Sequence, residues 1–85
     1  MELVWSRRAS KGLGVLPTKA RAAMIDRLKT IAVDPFARHA NVEPLKGERD
    51  AFRVRQGDWR AVYQVDRDAG LIRVVTVAAR REVYR

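Results

Sequence analysis

The chain has no cysteine, which excludes a disulfide framework, a thiol nucleophile and any cysteine metal site. His39 is the only histidine. Between Pro35 and Pro44 it reads as a loop residue, so zinc catalysis and Ser-His-Asp chemistry are poorly supported, and neither a metal nor a cofactor is expected. No apolar run approaches the ~20 residues of a membrane span. The first eight residues lack the apolar centre of a signal peptide, so the expected location is cytoplasmic, with no membrane partner. Repeats, low-complexity tracts and linkers are absent as well. A single domain over residues 1–85 is therefore expected, large enough for one modest core.

What is abundant is positive charge. Hydrophobic residues make up 47% and charged residues 33% of the chain, a balance that suits a globular domain, and the net charge is +8. Of the 18 basic residues, 14 are arginine. Arginine bonds phosphates with two prongs and stacks on bases, so the bias points to RNA, DNA or an acidic protein partner. The plainer alternative is a solvated arginine-rich surface.

Residues 2–5 (ELVW) read as a short strand, followed by Ser6 as a helix cap. Ala9, Leu13 and Leu16 then form one apolar helical stripe. Gly12 and Gly14 are expected to weaken that helix by about 1 kcal/mol each. Pro17 and Thr18 start a second helix, with Met24, Ile25, Leu28, Ile31 and Ala32 at helical spacing, and Asp34-Pro35 ends it. Residues 36 to about 46 read as a loop. Three strands follow at 51–56, 59–66 and 71–79, joined by turns at Gly57-Asp58 and at residues 68–70. The order β-α-α-β-β-β predicts an α+β fold, a helical hairpin packed on one face of a small, mainly antiparallel sheet.

The segment LKGERDAFRVRQGDWRAVYQVD, residues 45–66, carries the strongest functional signal. A two-residue turn at Gly57-Asp58 sets Gln56 opposite Trp59 and Arg55 opposite Arg60. Alternation assigns Phe52, Val54, Trp59, Ala61, Tyr63 and Val65 to the core. Arg53, Arg55, Arg60, Val62 and Gln64 take the other face. Like charges directly opposite one another destabilise a sheet. Three arginines with no acid inside these strands therefore suggest a surface that awaits a polyanion. The competing explanation is arginine stems covering apolar surface, or pairing with Asp58, Asp66 or Glu82. In the last strand, Ile72, Val74, Thr76 and Ala78 share parity with Arg80, which would bring Arg80 beside the arginines, with Tyr84 four residues further on. Trp5, Trp59 and Tyr63 read as core or core-edge aromatics.

Taken in order, LKG at 45–47, FRVRQGDWRAVYQVD at 52–66 and RREVYR at 80–85, preceded by Asp34-Pro35, resemble the RelE/ParE superfamily of type II toxin–antitoxin toxins. The resemblance runs through nearly the whole chain. It implies a compact RelE-like α+β domain. RelE-like members are endoribonucleases that cut mRNA in the ribosomal A site and are restrained by an antitoxin. On this chain the resemblance places the catalytic set at Arg53, Arg55, Arg60, Arg80 and Tyr84, with Arg53, Arg55 and Lys46 contacting substrate. Gly47 serves a turn. The implied partners are the ribosome, mRNA and an acidic antitoxin encoded nearby, with DNA contacted only through the antitoxin complex. The chain departs from RelE-type sites in having arginine at 53 and 55, often lysine there, and Ala79 where many relatives have histidine. Arginine stays protonated to above pH 12, so neither Arg53 nor Arg55 is a comfortable base. Two other readings remain open: a ParE-like gyrase ligand without nuclease activity, which LKG, Arg80 and Tyr84 argue against, and a non-catalytic nucleic-acid-binding module.

Overall fold

The computed structural model describes residues 1–79. Strand β1 (Glu2–Trp5) leads into α1 (Arg7–Val15) and α2 (Thr18–Val33), followed by β2 (Val42–Pro44), β3 (Ala51–Gln56), β4 (Trp59–Asp66) and β5 (Leu71–Ala79). The five strands form one sheet in the order β1-β5-β4-β3-β2. β1 lies parallel to β5, and every other pairing is antiparallel. The α+β arrangement expected from the periodicity is present, and the strands β3, β4 and β5 begin and end where alternation placed them. Among the described residues no helix is long and apolar enough to cross a membrane.

The core is the layer between the helical hairpin and one face of the sheet. Ala9 and Leu16 at α1, with Met24, Leu28, Ile31 and Ala32 of α2, meet Val54, Ala61, Tyr63, Val65, Ile72, Val74 and Val77 from the strands. Burying each large apolar side chain in this layer contributes roughly 1.5–3 kcal/mol. Leu3, Trp5, Leu13 and Trp59 pack around its margin, as the aromatic and helical patterns indicate.

Three features differ from the sequence-based expectation. The segment expected as a loop through Lys46 contains a strand, β2, paired along the edge through Val42–Val54, Glu43–Arg53 and Pro44–Phe52. Three residues ending in proline leave no alternation to read, and an edge is where a sheet tolerates proline, because the missing N–H is not needed. Secondly, β5 is not regular. Val62 pairs with Thr76 but Tyr63 pairs with Val74, so Val75 is an extra residue and the alternation reverses there. Ile72 and Val74 face the core, whereas Thr76 and Ala78 face the arginine side, and the single parity assumed for these four residues does not hold. The bulge is tied down by Ser6: its backbone N–H donates to the Val74 carbonyl at 3.0 Å and its hydroxyl donates to the Val75 carbonyl at 2.8 Å. The same hydroxyl oxygen accepts from the Ala9 N–H at 2.9 Å and caps α1.

Thirdly, Gly12 is no mere weakness in α1. A methyl group at Gly12 would stand 1.9 Å from the Val77 carbonyl oxygen. The helix backbone thus lies against β5 in a way that only glycine allows. Gly14 meets nothing within 4 Å, and there the propensity argument stands.

Candidate functional site

The turn at Gly57, whose φ is +62°, closes β3 onto β4 with Arg55 opposite Arg60 and Gln56 opposite Trp59. Arg53 lies opposite Val62 in the same ladder. The three arginines therefore share the sheet face that the helices leave uncovered. Across to β5, Arg60 pairs with Ala78 and Val62 with Thr76. The bulge at Val75 thereby gives the arginines a neighbouring floor of small side chains.

The edge strand supplies what sequence reasoning missed. Glu43 lies opposite Arg53, and its carboxylate accepts from Arg53 Nη2 at 2.7 Å. The statement that the face holds no acid within its strands is thus corrected: the acid sits on the strand that the loop reading overlooked. Asn41 adds a second anchor. Its φ is +60°, a left-handed conformation that asparagine accepts more readily than most residues. In that geometry its backbone carbonyl accepts from the Arg55 N–H at 3.0 Å and its side-chain oxygen accepts from Arg55 Nη2 at 3.3 Å. Asn41, Glu43, Arg53, Arg55 and Arg60 together line a cavity of about 120 Å³. Arg53 is largely covered, with 21% of its side chain exposed against 69% for Glu43. A fixed guanidinium beside a carboxylate open to solvent offers both an anion clamp and a proton acceptor.

The sequence-derived residues divide cleanly. Arg53, Arg55 and Arg60 converge on this cavity. Lys46 lies in the exposed segment between β2 and β3 and does not line it. Gly47 takes φ +83° in that segment, the turn role expected of it. Arg80 and Tyr84 lie outside the described residues. His39 Nε2 donates to the Asp34 carbonyl at 2.7 Å, consistent with a loop role. Tyr63 is on the wrong face to serve the cavity: it is fully buried beneath the sheet and stacks on Phe52 with ring centroids 5.4 Å apart. Burial pushes its phenol up to about 12, the nearby Arg27 charge offsetting part of the effect. A signal for Glu43 was present in KGERD at 46–50. Taken as a turn, that run folds residues 42–44 back onto 52–54 and brings Glu43 to Arg53.

Several solved structures have this fold. The isolated Escherichia coli RelE toxin superposes with a TM-score of 0.79 at 29% identity, covering 98% of this chain and 89% of that one. RelE in the intact E. coli RelBE toxin–antitoxin complex gives 0.79 at 25% identity, with 92% and 94% covered. A YoeB/ParE toxin from Agrobacterium tumefaciens gives 0.78 at 23% identity, with 93% and 98% covered, a likeness of fold alone. No curated protein matches the sequence. The family model for the ParE toxin of type II toxin–antitoxin systems matches residues 3–84, which is almost the entire chain. The chain therefore belongs to the RelE/ParE superfamily of type II toxins.

Proposed function

We propose that the protein is a ribosome-dependent endoribonuclease, the toxin of a type II toxin–antitoxin pair, with its site on the arginine face. The observation that carries this reading is the cavity lined by Arg53, Arg55 and Arg60 together with Glu43, whose carboxylate accepts from Arg53. RNA supplies its own nucleophile. The 2′-hydroxyl attacks the adjacent phosphorus, the bond to the 5′-oxygen breaks, and a 2′,3′-cyclic phosphate and a 5′-hydroxyl result. Glu43 takes the 2′ proton, the role that no arginine can fill at neutral pH. Arg60, with Arg80, stabilises the charge that builds on the phosphate oxygens. Arg53 orients Glu43 through the 2.7 Å bond, and Arg55 holds the RNA backbone. Tyr84 gives the departing 5′-oxygen the proton that makes it a hydroxyl, and regains one from solvent. Lys46 contacts the strand further out. The ribosome presents the mRNA in an attack-ready conformation, which a site with few acid–base groups requires.

The like charges of Arg55 and Arg60 also suit an antitoxin. An acidic segment laid across the face would neutralise the arginines and block RNA, and the net charge of +8 supports such a partner. Complexes such as RelBE support the same pairing for this chain. A cytoplasmic location follows from ribosomal action. The experiment that tests the reading is expression of the chain in bacteria followed by mapping of mRNA ends. Cuts confined to ribosome-occupied codons are expected, and they should disappear with Glu43→Gln and Arg60→Ala.

A second reading is gyrase inhibition without RNA cleavage, favoured by the match of the ParE model over residues 3–84. Gyrase-dependent DNA breaks with intact mRNA, unaffected by Glu43→Gln, would select it.

A further inference from the structure

At the other end of the same sheet face lies a larger concavity. It has a volume of about 460 Å³ and is lined by Gln64, Arg73, Arg49, Arg67, Asp66 and Asp68, among others. We propose that it is a subsite for a purine of the RNA strand that crosses the arginines. The inference rests on the endoribonuclease reading and adds to it a residue-level determinant of sequence preference.

Cross-strand register places the two sites on one line. Arg55, Arg60 and Ala78 form one row across β3, β4 and β5, and Arg53, Val62 and Thr76 form the next. Ala51, Gln64 and Arg73 form the third. With a strand rise near 3.4 Å per residue, alternate residues are about 7 Å apart, so the first and third rows are separated by about 14 Å. Between the two ends the middle row presents Val62 and Thr76 beside Arg53.

Besides the exposed Arg49 and Asp68, the concavity has a fixed wall and a presenting pair. Arg67 bonds Asp50 with two prongs, at 2.8 and 3.1 Å, while its guanidinium stands 4.0 Å over the Phe36 ring. Asp66 Oδ1 accepts from the Ala69 N–H at 3.0 Å and fixes the β4–β5 turn. Two of the acids are thus committed, one to an ion pair and one to a turn. Gln64 and Arg73 are exposed cross-strand partners, and their side chains bond no described residue. A guanidinium and a primary amide side by side are the two groups that bond purine edges in pairs, arginine to guanine and glutamine to adenine. The volume is in the range that holds a nucleotide-sized ligand.

The test uses the full chain and 2′-O-methylated RNA hexamers and dinucleotides, which cannot be cut, with binding read by fluorescence anisotropy. Arg73→Ala and Gln64→Ala should each weaken a purine-containing hexamer by about tenfold and leave dinucleotide binding unchanged, whereas Arg60→Ala should weaken both lengths. Arg73→Lys keeps the charge and should still lose the purine preference. If Arg73→Ala is silent, or weakens purine and all-pyrimidine hexamers equally while Arg60→Ala acts as expected, the subsite is refuted and the endoribonuclease reading survives. If the Arg73 variant loses only ribosome association, the concavity contacts ribosomal RNA and its assignment to the substrate strand is wrong. If the parent protein binds no RNA and cuts none on ribosomes, both readings fall.

Discussion

The two faces of the sheet are built from the same strands by alternate residues, yet they obey opposite rules. On the helix side, Val54, Ala61 and Tyr63 are fully buried; a large side chain such as Val54 contributes of order 1.5–3 kcal/mol to folding and the Ala61 methyl about 1 kcal/mol or less. On the other side Arg55 faces Arg60, an arrangement that costs roughly 0.2–1 kcal/mol. The magnitudes explain how both can persist: one well-filled layer stabilises the fold by far more than the arginine pair takes away. The Arg55–Arg60 opposition is the like-charge arrangement on which the proposed anion site rests. On the edge, Glu43 meets Arg53 and Asn41 meets Arg55.

If that division is right, substitutions on the two faces should separate activity from stability. The largest effect is expected from Arg60→Ala, which should lower ribosome-dependent cleavage about 100-fold or more, the scale of losing one charge-stabilising donor. Its thermal unfolding should stay close to that of the parent. A combined loss of cleavage and fold would break the comparison. Next is Gly12→Ala on the core side. The close approach to Val77 forces the helix off β5, and a loss of about 1–3 kcal/mol is expected in urea unfolding. Gly14→Ala, with open space around it, should instead gain up to about 1 kcal/mol. Equal responses at the two glycines would contradict the packing described.

Tyr63 gives a pH signature of the buried face. Its phenol is raised to about 12 in the folded protein, against about 10 when unfolded. Between those values the unfolded chain has released its proton and the native chain has not, so stability should fall as pH rises from about 10 to about 12. Tyr63→Phe should flatten that limb in a pH series of unfolding curves. The smallest effect is expected from Arg55→Thr. Removing one of the opposed charges should raise stability by about 0.5 kcal/mol while weakening RNA binding. A variant with lower stability would show that the pair is structural after all.

Most of this was legible in the sequence because alternation is a local signal. The β3–β4 hairpin could be registered to the residue from Gly57 and the spacing of Arg53, Arg55 and Arg60. What escaped was tertiary. Three-residue β2 shows no period, and with it went Glu43. The bulge at Val75 follows two adjacent valines, whose apolar character gives no hint of which one leaves the ladder, so the side taken by Thr76 and Ala78 was reached through the wrong parity. Gly12 resembled a helix defect because the Val77 carbonyl that it accommodates comes from a strand 65 residues later in the chain. The role of Lys46 rested on the family resemblance alone, and the structure leaves it outside the cavity.

The central claim is that the arginine face with Glu43 is a site of RNA cleavage. The most direct measurement is the mapping of mRNA 5′ ends in a reconstituted translation system, comparing the parent with Glu43→Gln. Glu43 is exposed on an edge strand, so the variant should fold as the parent does. The account predicts discrete cuts within ribosome-bound codons for the parent and a loss of about 100-fold for the variant, its unfolding curve unchanged. Cutting at the parental rate by a folded Glu43→Gln protein, or no cutting by the parent on translating ribosomes, would contradict it.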